Sequence, residues 1–357
     1  MEGDIPASDF GIVLPHEHVV CDSSVWLDTE TAAAWPQMSK AEPALDNLWW
    51  MRQFPNSNPS ALRLDSDERA SAELAAFRRL GGTAVVDLTT AGLGRDVAAL
   101  RSIARESGVR IISGTGLYIG PSHPDWARSA SVDELAAYMA GEITDGVRNT
   151  GICCGVIGEM GVSHPVLPAE ERALRAATRA QQRTGAAISV HTAAHAVDAD
   201  SALAVADILE DEGAEMSRVV MGHMDAVLHR PDYLRAALNR GCMIEFDLFG
   251  HEFFESENSF QSFGDTEKCR ATAALVAEGW TAQLLLSHDI CYKIQLQAYG
   301  GYGYAHLLRN IAPRLRLLGV DDDDLEQLMI HNPRRVFSMP AAEPDPAVEA
   351  RAMEAGR

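Results

Sequence analysis

The stretch GIVLPHEH at residues 11–18 decides the fold, because it is a short apolar run that ends in two histidines one residue apart. Seven later runs repeat this form, in which a β-branched apolar segment ends in a polar cluster and a helical pattern often follows. The eight runs are GIVLP (11–15), TAVVDLTT (83–90), VRIISGTGLY (109–118), CGVIGEMG (154–161), AAISVHT (186–192), RVVMGHMD (218–225), CMIEFDLF (242–249) and QLLLSHD (283–289). Such runs are typical of strands buried on both faces, and their alternation with helices predicts a parallel (β/α)8 barrel.

Amphipathic helical patterns separate several of these runs, and three of the patterns close on a glycine, as helix C-termini often do. They span residues 66–82, 168–185 and 198–213. We expect one barrel domain over residues 1–340, with insertions at 22–65 and 250–268, and a flexible tail at 341–357. Both insertions are rich in aromatic residues, which either anchor these loops to the barrel rim or wall a substrate pocket.

The composition excludes some classes of partner. The 357 residues carry a formal net charge of −21, and no basic stretch is visible that could bind nucleic acid or an anionic membrane. No apolar run reaches the roughly 18 residues of a membrane span, and the N-terminus lacks the segments of a signal peptide, so we expect a cytoplasmic protein. The six cysteines include no C-x-x-C pair and are expected to be reduced.

Side chains that bind metals stand at the ends of five predicted strands. They are His16 and His18 after the first strand, Glu159 at the fourth, His191 at the fifth, His223 at the sixth and Asp289 at the eighth. A single histidine at a strand end is more often an ordinary polar residue than a ligand. The whole set argues otherwise, because the carboxyl ends of barrel strands converge on one mouth.

Six ligands are too many for one tetrahedral ion, so the pattern predicts two divalent cations. The expected arrangement is His16, His18 and Asp289 on one cation, His191 and His223 on the other, and Glu159 bridging them. Zinc is the default expectation, and manganese, cobalt or iron would suit the same ligands. Such a pair activates a bridging water and polarises an oxygen of the substrate, and Asp289 can take up the proton of that water as it attacks.

Several motifs resemble the phosphotriesterase-like branch of the amidohydrolase superfamily. Among them are LPHEH (14–18), VDLTTAGLGRD (86–96), GVIGEMGVS (155–163), LLLSHD (284–289) and YGGYGYAHLLRNIAPRL (299–315). The resemblance covers nearly the whole chain and implies a (β/α)8 barrel, commonly a homodimer, that acts on a small molecule through the six ligands named above. Glu159 stands where many members carry a carboxylated lysine, which resembles the glutamate-bridged subgroup that includes the phosphotriesterase-related proteins.

Two further positions bear on the reaction that the resemblance implies. Asp247-Leu248 stands where phosphotriesterases carry an Asp-His pair that relays protons, so phosphotriester hydrolysis is expected only as a weak side reaction. Tyr118 matches the tyrosine that lactonases of the family place beside the metals, where it would contact the substrate and assist catalysis. The alternative for Tyr118 is simple packing under the 22–65 insertion.

These features lead to two hydrolase hypotheses and one from another class. The first is hydrolysis of a lactone or another carboxylic ester. The second is amidohydrolysis of a small N-acyl amino acid or amino sulfonate, whose anionic group Lys293 would bind if it is not merely a solvated loop lysine. The third is a ligand-binding protein that keeps the metal site without turnover, and the complete ligand set argues against it.

Overall fold

A computed structural model of the chain describes residues 3–193, 200–255 and 260–339. Eight parallel strands form one sheet in chain order. They are β1 (Ile12–Glu17), β2 (Gly82–Asp87), β3 (Arg110–Thr115), β4 (Val156–Gly161), β5 (Ile188–His191), β6 (Val219–Met221), β7 (Met243–Phe246) and β8 (Leu284–Leu286). With helices between the strands, this arrangement confirms the predicted (β/α)8 barrel.

Seven helices connect the strands around the outside of the barrel. They are α1 (Asp67–Arg79), α2 (Val97–Ser107), α3 (Val132–Thr144), α4 (Pro168–Thr184), α5 (Ser201–Asp211), α6 (Pro231–Leu238) and α7 (Asp265–Ala277). After β8, two helical stretches follow, composed of Leu307–Ile311 with Ala312–Leu317, and of Asp322–Glu326 with Gln327–His331 and Asn332–Phe337. The helix predicted at 66–82 is shorter in the structure, because α1 ends at Arg79 and Gly82 already begins β2.

The strands are buried on both faces, as their apolar runs predict. Val85 packs into the core between the sheet and the helices, whereas its neighbour Val86 packs into a second core inside the barrel. This alternation follows from the two-residue period of a strand. Val336 and Phe337 of the last helix belong to the inner core, which lies at the end of the barrel away from the candidate site.

The seam between β8 and β1 is closed partly by the side chain of Ser287. The His16 backbone N–H donates to Ser287 Oγ at 3.0 Å, and this hydroxyl lies 2.8 Å from the His16 carbonyl oxygen. The Asp289 N–H donates to the same carbonyl at 3.2 Å. The first and the last strand are therefore fixed to each other at the level of two predicted metal ligands.

The 22–65 insertion has its own structure. A two-stranded ribbon pairs Cys21–Asp22 with Arg63–Leu64, and two short helices span Thr29–Ala34 and Leu48–Met51. Some aromatic residues of this insertion anchor it to the barrel rim, and others wall the cavity. Trp50 is fully buried and anchors the insertion, whereas Trp26 lines the cavity at the barrel mouth.

The second insertion is shorter than predicted, because α7 begins at Asp265 and not after residue 268. It contains a ribbon formed by Phe254–Glu255 and Phe260–Gln261. The tail predicted at 341–357 lies outside the described residues. Within the described part of the chain, no helix is long and apolar enough to cross a membrane.

Candidate metal centre

The structure brings the six predicted ligands together at the carboxyl ends of the strands. They are buried to the following exposed fractions: His16 0%, His18 3%, Glu159 1%, His191 6%, His223 2% and Asp289 9%. So many ionisable groups are rarely buried in one place unless they are paired or bind an ion.

His16, His18 and Asp289 form what we call the first half of the centre. His18 Nε2 lies 3.3 Å from Asp289 Oδ1 and 3.6 Å from Glu159 Oε2. His16 Nε2 lies 3.3 Å from Glu159 Oε1. The ligand atoms of His16, His18 and Glu159 lie within 4.8 Å of one another, and His16 Nε2 is 3.8 Å from Asp289 Oδ1.

His191 and His223 form the second half. His191 Nδ1 lies 2.9 Å from Glu159 Oε1, and His223 Nε2 lies 3.3 Å from the same oxygen. The two histidine nitrogens are 2.6 Å apart. Glu159 is thus in contact with both halves, which is the position that the sequence predicts for a bridging carboxylate.

The outer ring nitrogens of three histidines are held by acceptors, which directs their inner nitrogens to the centre. His18 Nδ1 lies 2.9 Å from Thr89 Oγ1, and His223 Nδ1 lies 2.9 Å from Asp247 Oδ1. His16 Nδ1 lies 3.0 Å from Asp247 Oδ2. This is how proteins orient histidine ligands, with one nitrogen fixed and the other available to a metal.

One atom of the cluster tests whether a metal fits. His16 Nε2 is buried and has no hydrogen-bond partner among the described residues, although a buried polar atom normally has one. A cation would satisfy it. Imidazole and carboxylate donors are those that zinc, manganese, cobalt and iron accept. The residues therefore fit a pair of divalent cations.

The charges of the cluster also suit cations. Burial would raise the pKa of Glu159, but His191 and His16 hold that pKa well below its usual range. Burial likewise opposes the charge on Asp289, yet the hydrogen bond with His18 lowers the pKa of Asp289 to about 2. Both carboxylates are therefore ionised near neutral pH, which is the form that binds a metal.

Two of the ligands adopt a backbone conformation that is unusual for their residue type. His223 has a φ of 59° and Asp289 has a φ of 47°, both in the left-handed region. Residues other than glycine occupy this region at some cost in energy, and such residues cluster at functional sites. The strained backbone directs both side chains to the barrel mouth at the points where β6 and β8 have ended.

A cavity of about 620 Å³ opens above the cluster. Besides five of the ligands it is lined by Ser23, Trp26, Asn56, Leu93, Tyr118, Leu248, His251, Phe260, Cys291 and Tyr292. No lysine or arginine contributes to the lining among the residues that the structure describes.

Tyr118 lies at the boundary between the cavity and the second half. Its hydroxyl accepts a hydrogen bond from Trp26 Nε1 at 3.0 Å and lies 3.2 Å from His191 Nδ1. Burial, followed by the charges of Glu159 and Asp289, raises the pKa of Tyr118 well above its ordinary value, so the phenol keeps its proton. Tyr118 packs under the insertion and also faces the cavity.

Lys293 is not brought to this site, contrary to the prediction from sequence. Its Nζ lies 3.0 Å from Asp65 Oδ1 and donates to Ser60 Oγ at 3.1 Å, both in the first insertion. The backbone N–H of Lys293 is also bonded to the carbonyl of Ala61. The lysine therefore fixes the insertion to the end of β8 and does not line the cavity.

Sequence reasoning gave no role to three residues of the site, although it noted Asp247 as the neighbour of Leu248. Asp247 and Thr89 hold histidine ligands from behind, and His251 lines the cavity with its Nε2 3.1 Å from the carbonyl oxygen of Asp289. Asp247 and Thr89 lie at the ends of predicted strands, which was the available signal. His251 lies two residues beyond the seventh predicted strand, inside the second insertion, where no pattern indicated which side chains turn to the cavity.

A (β/α)8 barrel that carries four histidines and two carboxylates at one mouth is the architecture of a metal-dependent hydrolase. The chain belongs to the phosphotriesterase family, since the model of the Phosphotriesterase family matches residues 1–337. The resemblance inferred from the motifs is therefore confirmed.

Similar proteins cover almost the whole chain. The phosphotriesterase-related protein of Nematostella vectensis is 35% identical over 337 residues, which is 93% of this chain and 95% of that protein. The N-acetyltaurine hydrolase of Bos taurus is 34% identical over 339 residues, with the same coverage of 93% and 95%. The solved structure of a resiniferatoxin-binding protein from Rhodobacter sphaeroides superposes with a TM-score of 0.91 at 38% identity, covering 94% of this chain and 93% of that one.

Proposed function

We propose that the chain hydrolyses the amide bond of a small N-acyl compound, such as an N-acyl amino acid or amino sulfonate. The observation that carries this proposal is the division of the cavity wall. Leu93 and Trp26 form one apolar cluster, and Leu248 with Phe260 forms another. A short acyl chain fits such a surface, because its burial is favourable by about 25 cal/mol per Å² of apolar area.

The remaining wall is polar and is built around three side chains. The Tyr292 hydroxyl donates to Asn56 Oδ1 at 2.8 Å, and the ring of His251 lies against that of Tyr292. Such groups suit the polar substituent on the nitrogen of an amide. They can donate and accept hydrogen bonds, and Lys293 is paired with Asp65. An anionic substituent would therefore be held by hydrogen bonds and not by an ion pair with Lys293. Similarity to N-acetyltaurine hydrolases over 93% of the chain supports the same substrate class.

Two divalent cations, zinc by default, would be held by the two halves and Glu159, and when bound they supply Lewis acidity and an activated water. The carboxylate of Asp289 takes up the proton of the attacking water and returns it to the departing nitrogen. The Tyr118 hydroxyl, fixed by Trp26, orients the acyl group beside His191. The cavity walls exclude bulk water, which strengthens these polar interactions.

A second activity, hydrolysis of a lactone or carboxylic ester, is favoured by a separate observation. In this mechanism Asp289 alone transfers protons. An alkoxide leaving group depends less on a proton donor than an amine does, so a site with one such group favours esters and lactones. Leu248 lines the cavity at the position where phosphotriesterases carry their relay histidine. We therefore expect phosphotriesters to be hydrolysed only weakly.

A substrate panel tests the proposal. Purified protein loaded with Zn²⁺ or Mn²⁺ is assayed on N-acetyl amino acids, N-acetyl amino sulfonates, lactones, aryl esters and a phosphotriester, with metal content measured on the same sample. We expect the highest kcat/KM on an N-acyl compound and its loss in Asp289→Asn. Turnover of lactones alone would replace the proposal by the second activity.

A further inference from the structure

Asp247 is a fully buried carboxylate directly after β7, and it contacts one histidine from each half of the metal centre. Its Oδ1 lies 2.9 Å from His223 Nδ1, and its Oδ2 lies 3.0 Å from His16 Nδ1. The backbone N–H of His223 is 3.0 Å from both oxygens. One side chain thus carries the outer contacts of two ligands that serve different cations.

We propose that Asp247 is a positioning residue that couples the two halves, so that the two cations are bound as a unit. The proposal rests on the two-cation site of the proposed function. A carboxylate accepts hydrogen bonds only, so the contacts of Asp247, joined at His16 by Glu245 Oε2, favour the proton of both histidines on Nδ1 and leave both Nε2 atoms to the cations. The ligand geometry of one half then depends on the same group as that of the other.

The surroundings of Asp247 are shaped to keep it in this place. A Cβ atom at Gly222 would lie 2.9 Å from the Val190 carbonyl oxygen, 3.0 Å from Asp247 Oδ2 and 3.4 Å from His16 Nδ1, so glycine leaves room both for the neighbouring strand and for this contact. The carboxylate is wholly buried, and a buried charge without partners would cost several kcal/mol. Its contacts with both histidines are therefore the condition under which it remains ionised there.

The other outer contacts serve one half only. Thr89 Oγ1 contacts His18 Nδ1 in the first half. Glu245 Oε2 lies 3.3 Å from His16 Nδ1, also in the first half. Asp247 therefore differs from Thr89 in one respect that can be measured, namely whether its loss affects one cation or two.

The test compares Asp247→Asn with Thr89→Val. An asparagine keeps the shape of the aspartate but presents an NH₂ group to one of the two histidines, and that histidine loses its contact with residue 247. If it is His16, Glu245 Oε2 at 3.3 Å remains as an acceptor for Nδ1, but the contact that joins the two halves is lost in either case. Metal-free protein is titrated with Co²⁺, and bound ions are counted by equilibrium dialysis while the Co²⁺ absorption bands are recorded. The histidine protonation pattern is read independently from ¹⁵N NMR of the metal-free protein.

In wild-type protein we expect two Co²⁺ ions to bind in one transition. In Asp247→Asn we expect both ions to bind at least tenfold more weakly, with the Nδ1 signal of one histidine changed, in line with the roughly 10- to 100-fold effect of outer-contact mutations on metal affinity. In Thr89→Val we expect only the first-half ion to weaken, which separates the two transitions. Weakening of a single ion in Asp247→Asn, or of both ions equally in Thr89→Val, would overturn the coupling.

Gly222→Ala provides a second route if Asp247→Asn does not fold. It leaves the carboxylate intact but crowds both Asp247 Oδ2 and the Val190 carbonyl oxygen. We expect the same weakening of both ions together with a changed Nδ1 signal of His16, whereas wild-type affinity for either ion would refute the proposal. All these measurements are independent of substrate. If the chain hydrolyses another substrate class, the coupling of the two ions by Asp247 is unaffected. If wild-type protein binds only one ion, the two-cation site itself is refuted.

Discussion

Ser287→Ala tests how the barrel is closed beside the metal centre. In the native protein the Ser287 hydroxyl accepts the His16 N–H at 3.0 Å and can donate to the His16 carbonyl or to Glu17 Oε1, each at 2.8 Å. Alanine leaves a buried N–H without an acceptor and removes one donated bond. Leaving such a group unsatisfied costs roughly 1–3 kcal/mol, and the lost bond adds about 1 kcal/mol. We expect a loss of about 2–4 kcal/mol in the free energy of unfolding.

The assay is urea unfolding of metal-free protein, followed by circular dichroism and tryptophan fluorescence. A lower midpoint with an unchanged slope reports a loss of stability alone. Ser189→Ala is the matched control, because Ser189 on β5 is equally buried and its hydroxyl has no hydrogen-bond partner in the described part of the chain. We expect this control to be neutral within about 0.5 kcal/mol or slightly stabilising.

The comparison separates the proposed role from a general sensitivity of the barrel to serine replacement. If Ser287→Ala unfolds at the wild-type urea concentration, the hydroxyl does not close the seam. If both variants lose the same stability, the loss comes from packing and not from the hydrogen bonds to His16.

Three further substitutions follow from the site. Glu159→Gln should lose both cations and activity together, measured by metal analysis and turnover, and a variant that keeps two ions and full rate would show that Glu159 is not the bridge. Tyr118→Phe should keep both ions but lower kcat about 10- to 100-fold, because a donor fixed at the acyl group is removed, and an unchanged kcat would leave Tyr118 as a packing residue. Lys293→Ala should leave kcat/KM unchanged, because its ammonium is paired with Asp65 outside the cavity, and should lower the free energy of unfolding by about 1 kcal/mol. A rise in KM for anionic substrates alone would restore the lysine to substrate binding.

The fold and the ligand set could be predicted because both are encoded locally. Each ligand follows an apolar run in the chain, and the ends of parallel barrel strands meet at one mouth whatever the loops do. The pattern also placed Glu159 between the halves, since it is a carboxylate at the end of β4 among four histidines. The predicted boundary between the first helix and the second strand was less accurate. The sequence alone does not say whether Gly82 ends the helix or begins the strand, and in the structure it begins the strand.

The groups behind the ligands could not be predicted in the same way. Asp247 drew notice in the sequence only as the neighbour of Leu248, and its own role depends on two histidines that only the closed barrel brings to it. Trp26 lies in an insertion whose path is set by its own contacts. It reaches Tyr118 because the ribbon at Cys21–Asp22 and Arg63–Leu64 folds the insertion back over the mouth. Neither position has a periodic pattern.

Lys293 shows most clearly where sequence proximity misleads, and it changes what is expected of the substrate. It lies four residues after a ligand, but its backbone is bonded to Ala61 and its ammonium to Asp65, so the side chain stabilises the insertion. A substrate carboxylate or sulfonate in the cavity would then be attracted by the cations and by neutral donors such as Asn56. Because these groups are buried, salt screens their attraction for the substrate only weakly, whereas it would screen attraction to an exposed lysine strongly. The KM for an anionic substrate should therefore vary little with ionic strength, and a steep rise in KM with added salt would indicate a positively charged group at the mouth that this arrangement does not include.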